Sequence, residues 1–296
     1  MPNELDPYIQ AIAELRDHSG AADDQSLVAL WLTSRGSRSK HTEAAYRADA
    51  GAFLVALAIL GADLRTASLS DLQGWASALP GAPATRKRRM ASVRSLLSFA
   101  HSTGYSLINV GASLALPEVP NDLAQRILTE KEVTELITSA TPQRDRPLVA
   151  WLYYTGCRAA EANALSWEHL TRSRKGTVAT LHGKGGRTRH IKLAPQLLEH
   201  LKPLGKGRGA EAVFLNHRGN RLTTRGIHGV VARVADESGV DRPVTPHWLR
   251  HAHVSHALDR GAPPHLVQQN VGHTSLNTTT RYAHANPEDG SGLYLR

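Results

Sequence analysis

At 296 residues, with 41% apolar and 21% charged side chains, the chain carries enough core-forming material for two folded domains and lacks the composition of a disordered one. A formal charge of +9 favours a polyanionic partner, nucleic acid ahead of a membrane surface, and a single cysteine, Cys157, excludes an intrachain disulfide and a cysteine-based zinc cluster. The N-terminal MPNELDPYIQ has neither the basic nor the apolar region of a secretory signal. The longest apolar run, 51–62, is about half the ~20 residues of a membrane span. A cytoplasmic protein with no membrane contact is therefore expected.

Residues 1–25 read as an N-terminal extension, a short helix from Tyr8 to Arg16 followed by a polar connector. A helix then starts near Ser26, with Leu27, Leu30 and Trp31 at helical spacing. The stretch from Ser37 to Thr42 is basic and hydroxyl-rich. Thr42 suits the N-cap of a long helix through Leu60 whose Tyr46, Phe53, Leu57 and Leu60 share one face. A third helix follows Leu69-Ser70-Asp71, with Ser70 as its expected cap, and stops before Pro80-Gly81. The fourth, from Thr85 to Ala100, buries Met90, Val93, Leu96 and Leu97, while Arg86, Lys87, Arg88, Arg89 and Arg94 crowd its first turns. A charge run is usually a solvated face, but this one, without a single acid, is better matched by nearby phosphates. Nothing up to residue 110 alternates as a strand. Residues 26–111 are thus expected to form an all-helical domain, with Pro117 and Pro120 marking a linker over 112–124.

The second domain, 125–282, opens on Thr129 and Glu132, which form a capping box. Leu148 to Tyr154 has no polar face and reads as a buried helix, interrupted at Thr155-Gly156 and followed by another through Leu165. Val178–Leu181 and His190–Leu193 read as two strands around a hairpin turn at Gly183-Lys184-Gly185-Gly186. A helix over 224–237 carries Ile227, Val230, Val231 and Val234 on its inner face, with Gly239 past its end. Thr245-Pro246 caps and opens the next helix, Gly261 ends it, and Pro263-Pro264 starts another through Gln269. Ser275 to Tyr282 closes the domain, and 283–296 form a tail. The expected fold class is mainly α with one small antiparallel sheet.

Several side chains suit chemistry on an anion. Arg158 and Glu161, one turn apart near a helix start, share a face: the guanidinium can hold two phosphate oxygens while the carboxylate fixes it. Taken alone, such a pair is more often a surface ion pair. Lys184, at a glycine-flanked hairpin tip, can reach a substrate and donate a proton to a leaving oxygen. His247 and Arg250 lie one turn apart on one helix. His251, His253 and His256 follow them, but Trp248 occupies the place of the metalloprotease glutamate, and positions 253 and 256 point away from 247. No metal is expected. His273 precedes Tyr282, and a tyrosine oxygen can attack a phosphodiester if its proton leaves and the developing charge is neutralised. Two arginines and protonatable histidines can do that. Arg38, Lys40, Arg187 and Arg225 join the helix cations as expected DNA-binding residues.

The stretches TGCRAAE at 155–161, HGKGGRTRHIKL at 182–193, HWLRHAHVSHAL at 247–258 and VGHTSLNTTTRYAH at 271–284 resemble the tyrosine recombinases (phage integrase family), in a simple Xer-like layout. SKHTEAAYRADAGAFL and TRKRRMASVRSLLSFAHSTGY are more loosely similar to that family's core-binding domain. The resemblance runs from residue 26 onward. It implies a SAM-like helical core-binding domain and a catalytic domain of the DNA breaking-rejoining fold, closing around duplex DNA. The implied reaction is site-specific strand cleavage and rejoining by transesterification through a 3′-phosphotyrosyl intermediate, with no ATP, metal or cofactor. Its implied partners are double-stranded DNA carrying a specific site and further copies of the chain, as a tetramer on DNA. By the same resemblance Tyr282 is the nucleophile, Arg158 and Arg250 clamp the scissile phosphate and His273 completes the clamp. His247 is then the general base, Lys184 the general acid toward the 5′-oxygen, and Glu161 a supporting acid. Asn270-Val271 stands where a leucine pair usually precedes Gly-His, and Asn109-Val110-Gly111 replaces a common Asn-Pro at the domain junction. The alternatives are a type IB topoisomerase-like relaxase and a catalytically idle DNA-binding regulator, which would have no use for the tyrosine.

Overall fold

Side-chain caps or first-turn prolines open most of the described α-helices. The computed structural model describes residues 17–35, 40–119, 123–183, 186–205, 207–273 and 275. By internal contacts the chain divides into two units, Met1–Pro120 and Asn121–Arg296. Among the described residues no helix is long and apolar enough to cross a membrane.

Among the described residues the N-terminal unit holds four α-helices, α1 (Asp24–Ser34), α2 (Lys40–Ile59), α3 (Leu69–Ala78) and α4 (Pro83–Ser102). α1 begins before Ser26 because Asp23 is its cap: the Asp23 carboxylate accepts from the Ser26 N–H at 2.8 Å, and the Asp23 N–H donates to Ser26 Oγ at 3.0 Å. The cap of α3 is Ser68 rather than Ser70, since only Ser68 has a carboxylate three residues on. The Asp71 N–H donates to Ser68 Oγ at 3.2 Å, and the Ser68 N–H donates to Asp71 Oδ2 at 2.9 Å. α2 opens at Lys40, which puts Thr42 inside its first turn. α4 begins with Pro83, whose missing N–H costs nothing in a first turn. Leu27, Trp31, Phe53, Leu57, Leu72, Val93, Leu96 and Leu97 fill the core, with Trp31 stacked on Tyr46 at 5.6 Å and Phe53 edge-on to Trp75 at 4.9 Å. Leu60 lies past the end of α2 and is 58% exposed, so the inward stripe stops at Leu57.

The C-terminal unit is built on α6 (Arg146–Thr155), whose Leu148, Val149, Ala150, Trp151 and Leu152 are all buried. Around it lie α5 (Glu130–Ser139), α7 (Ala159–Ala164), α8 (Pro195–Leu201), α9 (Thr224–Ser238), α10 (Pro246–Asp259) and α11 (Pro264–Val271). The Thr129–Glu132 capping box opens α5, with the Glu132 N–H donating to Thr129 Oγ1 at 3.2 Å. Beside the helices is a three-stranded antiparallel sheet in the order β1 (Leu170–Ser173), β2 (Gly176–His182), β3 (Thr188–Lys192). Its register pairs Leu170 with Ala179 and Ala179 with Ile191. The mainly helical class with a small antiparallel sheet is the expected one. Strand β1 and helix α8 are additions: β1 is a polar edge strand with no buried residue to give it an alternating pattern. Val254, Val267 and Val271 form a satellite core that seats α11 on α10.

Gly156 joins α6 to α7 in the left-handed region, with φ +58°, and a Cβ there would lie 2.6 Å from His253 Cδ2 and 2.9 Å from Val271 Cγ1. Both the backbone and the space therefore require glycine. Gly156→Ala is expected to destabilise the C-terminal unit by about 2–4 kcal/mol, the sum of strain and overpacking. Urea unfolding checks this, and a loss below about 1 kcal/mol would contradict it.

Candidate active site

Glu161 is the centre of the site. It sits in the first turn of α7 with its side chain 3% exposed, and its Oε2 accepts from the Arg158 N–H at 2.7 Å. Arg189, on β3, places a two-pronged fork on it, Nη1 to Oε1 and Nη2 to Oε2, both at 2.7 Å. Arg158 Nη1 reaches the same Oε1 at 3.2 Å. Burial alone would raise the Glu161 carboxyl, but the hydrogen bonds from Arg189 and Arg158 and the two guanidinium charges outweigh it and hold the group below the usual carboxylate range.

Two further elements, α10 and the end of α11, bring Arg250, His247 and His273 near this pair. The Arg158 side chain is 42% exposed and its Nη2 donates to the Gly272 carbonyl at 3.2 Å, which links the start of α7 to the end of α11. Arg250, on α10, is 2% exposed and donates through Nη1 to the Gly156 carbonyl at 2.6 Å. Its Nη2 is buried without a hydrogen-bond partner among the described residues. Desolvation, then repulsion by Arg158, pushes Arg250 down to about 10, which still leaves it charged at neutral pH. His273 follows Gly272, whose φ of +68° turns the chain out of α11, and its backbone N–H donates to Gln268 O at 3.1 Å. Desolvation and then Arg250 and Arg158 push His273 down to about 4. His247, one turn before Arg250, is exposed, yet desolvation followed by Arg250, Arg158 and Arg126 holds it below the usual histidine range.

The structure thus brings together Arg158, Glu161, His247, Arg250 and His273, and it adds Arg189, which the sequence motifs do not single out, while Arg126 contributes charge felt at His247. Arg189 had a signal: on β3 it shares the inward parity of buried Ile191, and a cation on that face requires a buried acid. Arg126 lies outside the quoted motifs and had none. Lys184, Tyr282 and Arg38 lie outside the described residues. The strand end that leads to Lys184 is described: a Cβ on Gly183 would lie 3.2 Å from Glu161 Oε1, so the hairpin base rests on the same carboxylate. The other histidines of α10 turn to separate neighbours. His251 meets the His247 ring edge-on at 4.3 Å, His253 packs on Gly156, and His256 Nδ1 lies 3.0 Å from the Tyr153 hydroxyl.

In the N-terminal unit, Lys40 opens α2. Arg88 forks onto buried Asp49 of α2, with Nη2 to Oδ1 at 2.9 Å. Arg86 donates to the Ala76 carbonyl at 3.2 Å, Arg89 to Pro80 at 3.3 Å and Arg94 to Leu114 at 3.4 Å, while Lys87 is half-buried. The acid missing from α4 itself is therefore supplied by another helix. Arg187 and Arg225 are exposed on the C-terminal unit.

A buried guanidinium edge with no hydrogen-bond partner among the described residues, near the half-exposed Arg158, can accept an anion. Residues 126–289 match the phage integrase family, and residues 29–104 match the phage integrase N-terminal SAM-like domain. The chain belongs to the phage integrase family. It is 35% identical over 223 residues to the tyrosine recombinase XerC of Roseiflexus castenholzii, covering 70% of each chain. It is 30% identical over 282 residues to the tyrosine recombinase XerD of Vibrio cholerae, covering 90% of this chain and 92% of that one. Among solved structures, a lambda integrase tetramer bound to a Holliday junction has the same fold, with a TM-score of 0.74 at 16% identity over 98% of this chain and 84% of that one. The XerH recombinase bound to its difH substrate matches with a TM-score of 0.67 at 21% identity over 97% of this chain and 87% of that one.

The histidines of this integrase-family site make its stability pH-dependent. His251, His253 and His273 are each pushed down to about 4, first by burial, from an ordinary 6.5. Between those values the unfolded chain binds more protons than the folded one, so stability falls as pH drops below about 6.5. Denaturant midpoints measured from pH 7.5 to 5 are expected to decline across that range, ahead of carboxylate titration. A flat profile would contradict the assignment.

Proposed function

We propose that this chain is a site-specific DNA recombinase that cleaves and rejoins double-stranded DNA by transesterification through a 3′-phosphotyrosyl intermediate. The observation that carries the reading is Arg250. It is a buried guanidinium with an unsatisfied Nη2, beside half-exposed Arg158 and beside His273, and it suits the non-bridging oxygens of one phosphate. The names of the relatives, and neighbours bound to a recombination substrate and a Holliday junction, support the same reading.

In this scheme the Tyr282 hydroxyl oxygen attacks the scissile phosphorus, forming a phosphotyrosyl bond as the bond to the 5′-oxygen breaks. Arg158, Arg250 and His273 neutralise the charge that builds on the phosphoryl oxygens. His247 takes the tyrosine proton, and its lowered proton affinity leaves it neutral near pH 7, as a base must be. Lys184 gives a proton to the departing 5′-oxygen, and attack by a 5′-hydroxyl on the phosphotyrosine reverses the sequence on the same or an exchanged strand. Bond energy stays in the protein–DNA linkage, so the scheme requires neither nucleotide nor divalent ion. The N-terminal unit serves as the core-binding domain and presents α4 to the DNA backbone, with Arg187 and Arg225 as further contacts of the catalytic unit. Strand exchange needs paired sites, and so a tetramer on DNA, acting in the cytoplasm on nucleoid DNA.

The test is a suicide substrate that carries the recognition site and traps the covalent adduct. Wild type should accumulate adduct and Tyr282→Phe none, while Arg250→Ala should slow its formation about 10²–10³-fold. An undiminished adduct in Tyr282→Phe would overturn the reading. Lys184→Ala should slow cleavage of an ordinary phosphodiester but act almost normally on a 5′-thio leaving group, which needs no protonation. Absence of that rescue removes Lys184 from the acid role. Relaxation of supercoiled DNA by single chains without a specific site would favour the topoisomerase-like alternative.

A further inference from the structure

Arg189 has no step in the scheme above, yet all three of its side-chain nitrogens are engaged. Nε donates to the Asn270 carbonyl at 2.6 Å, and Nη1 and Nη2 hold the two Glu161 oxygens at 2.7 Å. The side chain is 13% exposed. The Arg158 side chain, by contrast, has a single 3.2 Å contact to Glu161 and a 3.2 Å bond from Nη2 to the Gly272 carbonyl, and it is 42% exposed. A buried carboxylate with one guanidinium in reach draws it into a two-pronged pair, because uncompensated charge in the interior is costly. Two arginines compete here for one acid, and the geometry gives Arg189 the fork.

We propose that Arg189 is a positioning residue that saturates Glu161 and so keeps Arg158 available to a phosphate. Without Arg189, Glu161 would take Arg158 into its own fork and withdraw it from the anion. Arg189 also braces the turn before His273, since a Cβ on Gly272 would lie 3.3 Å from its Nη1 and Asn270 accepts from its Nε. The proposal rests on the phosphate reading of this site, and its test has one arm that needs no reaction.

That arm measures the rise in melting temperature produced by inorganic phosphate at constant ionic strength. Wild type should show the rise, Arg189→Met should lose it, and Arg189→Met combined with Glu161→Gln should regain it, because the competing charge is gone. The second arm is single-turnover cleavage. Arg189→Met should slow adduct formation at least about 30-fold on a phosphodiester. The defect should be under about threefold on a methylphosphonate, whose neutral phosphorus has less need of Arg158. Adding Glu161→Gln should recover about tenfold on the phosphodiester. Arg189→Lys keeps a charge without the fork, should fall between wild type and Arg189→Met, and carries the same comparisons if the methionine variant unfolds. A phosphate pattern as expected, with no adduct even in wild type, would sink the recombinase reading and leave the positioning role standing. Equal defects on both substrates with no recovery in the double variant, or no phosphate effect in wild type, would overturn the positioning role.

Discussion

One buried carboxylate organises the C-terminal unit. Glu161 is almost fully removed from water, so its charge must be met inside the protein, and two guanidiniums meet it from different directions. Arg158 comes from its own helix start, Arg189 from the sheet, and Arg189 extends to the last turn of α11. The base of the Lys184 hairpin rests on the same oxygen. Removing the charge would therefore affect the joint of a helix, a strand and a turn together. A cluster of this kind is weak evidence for stability and better evidence for geometry, because its hydrogen bonds fix directions that an apolar contact leaves free.

Beside that satisfied centre lies an unsatisfied group, Arg250 Nη2, which has no partner among the described residues. A buried donor without an acceptor costs about 1–3 kcal/mol, and Arg250 Nη2 carries that cost. The neighbouring charges add to it: Arg158 depresses Arg250, and both keep His273 and His247 neutral in the absence of an anion. Each of these penalties would be relieved by one bound phosphate, which gives the orphan donor an acceptor and turns repulsion into shared attraction. Strain of this type at a ligand site trades stability for binding. The rigidity needed to sustain it comes from apolar contacts nearby, where α6 runs through the core and the valine cluster holds α11 to α10.

The N-terminal unit handles its charge differently. Its basic helix is anchored by Arg88 on Asp49 and by backbone carbonyls that accept from Arg86, Arg89 and Arg94. Those contacts order long side chains in advance, which lowers the entropy lost when a polyanion binds.

Local chemistry was legible in the sequence. The Thr129–Glu132 box, the Thr245-Pro246 start, Gly239 after its helix and the apolar run of α6 each specify structure through neighbours within one turn, and such interactions do not depend on the rest of the chain. Spacing on a helix likewise paired Arg158 with Glu161 and His247 with Arg250 on shared faces, while the role of His273 came from the family resemblance. Both Ser68 and Ser70 carry a capping hydroxyl, and the Asp71 carboxylate three residues after Ser68 decides for Ser68. Strand β1 escaped because a polar edge strand has no alternation to read. Only the tertiary structure decided that Arg189 takes the fork on Glu161, that Arg88 has an acid partner, and that Arg250 is left with a buried unpaired nitrogen. The two pairs are contacts across dozens of residues, and charge pairing in a folded interior depends on which groups the packing brings within about 3 Å and which it leaves dry.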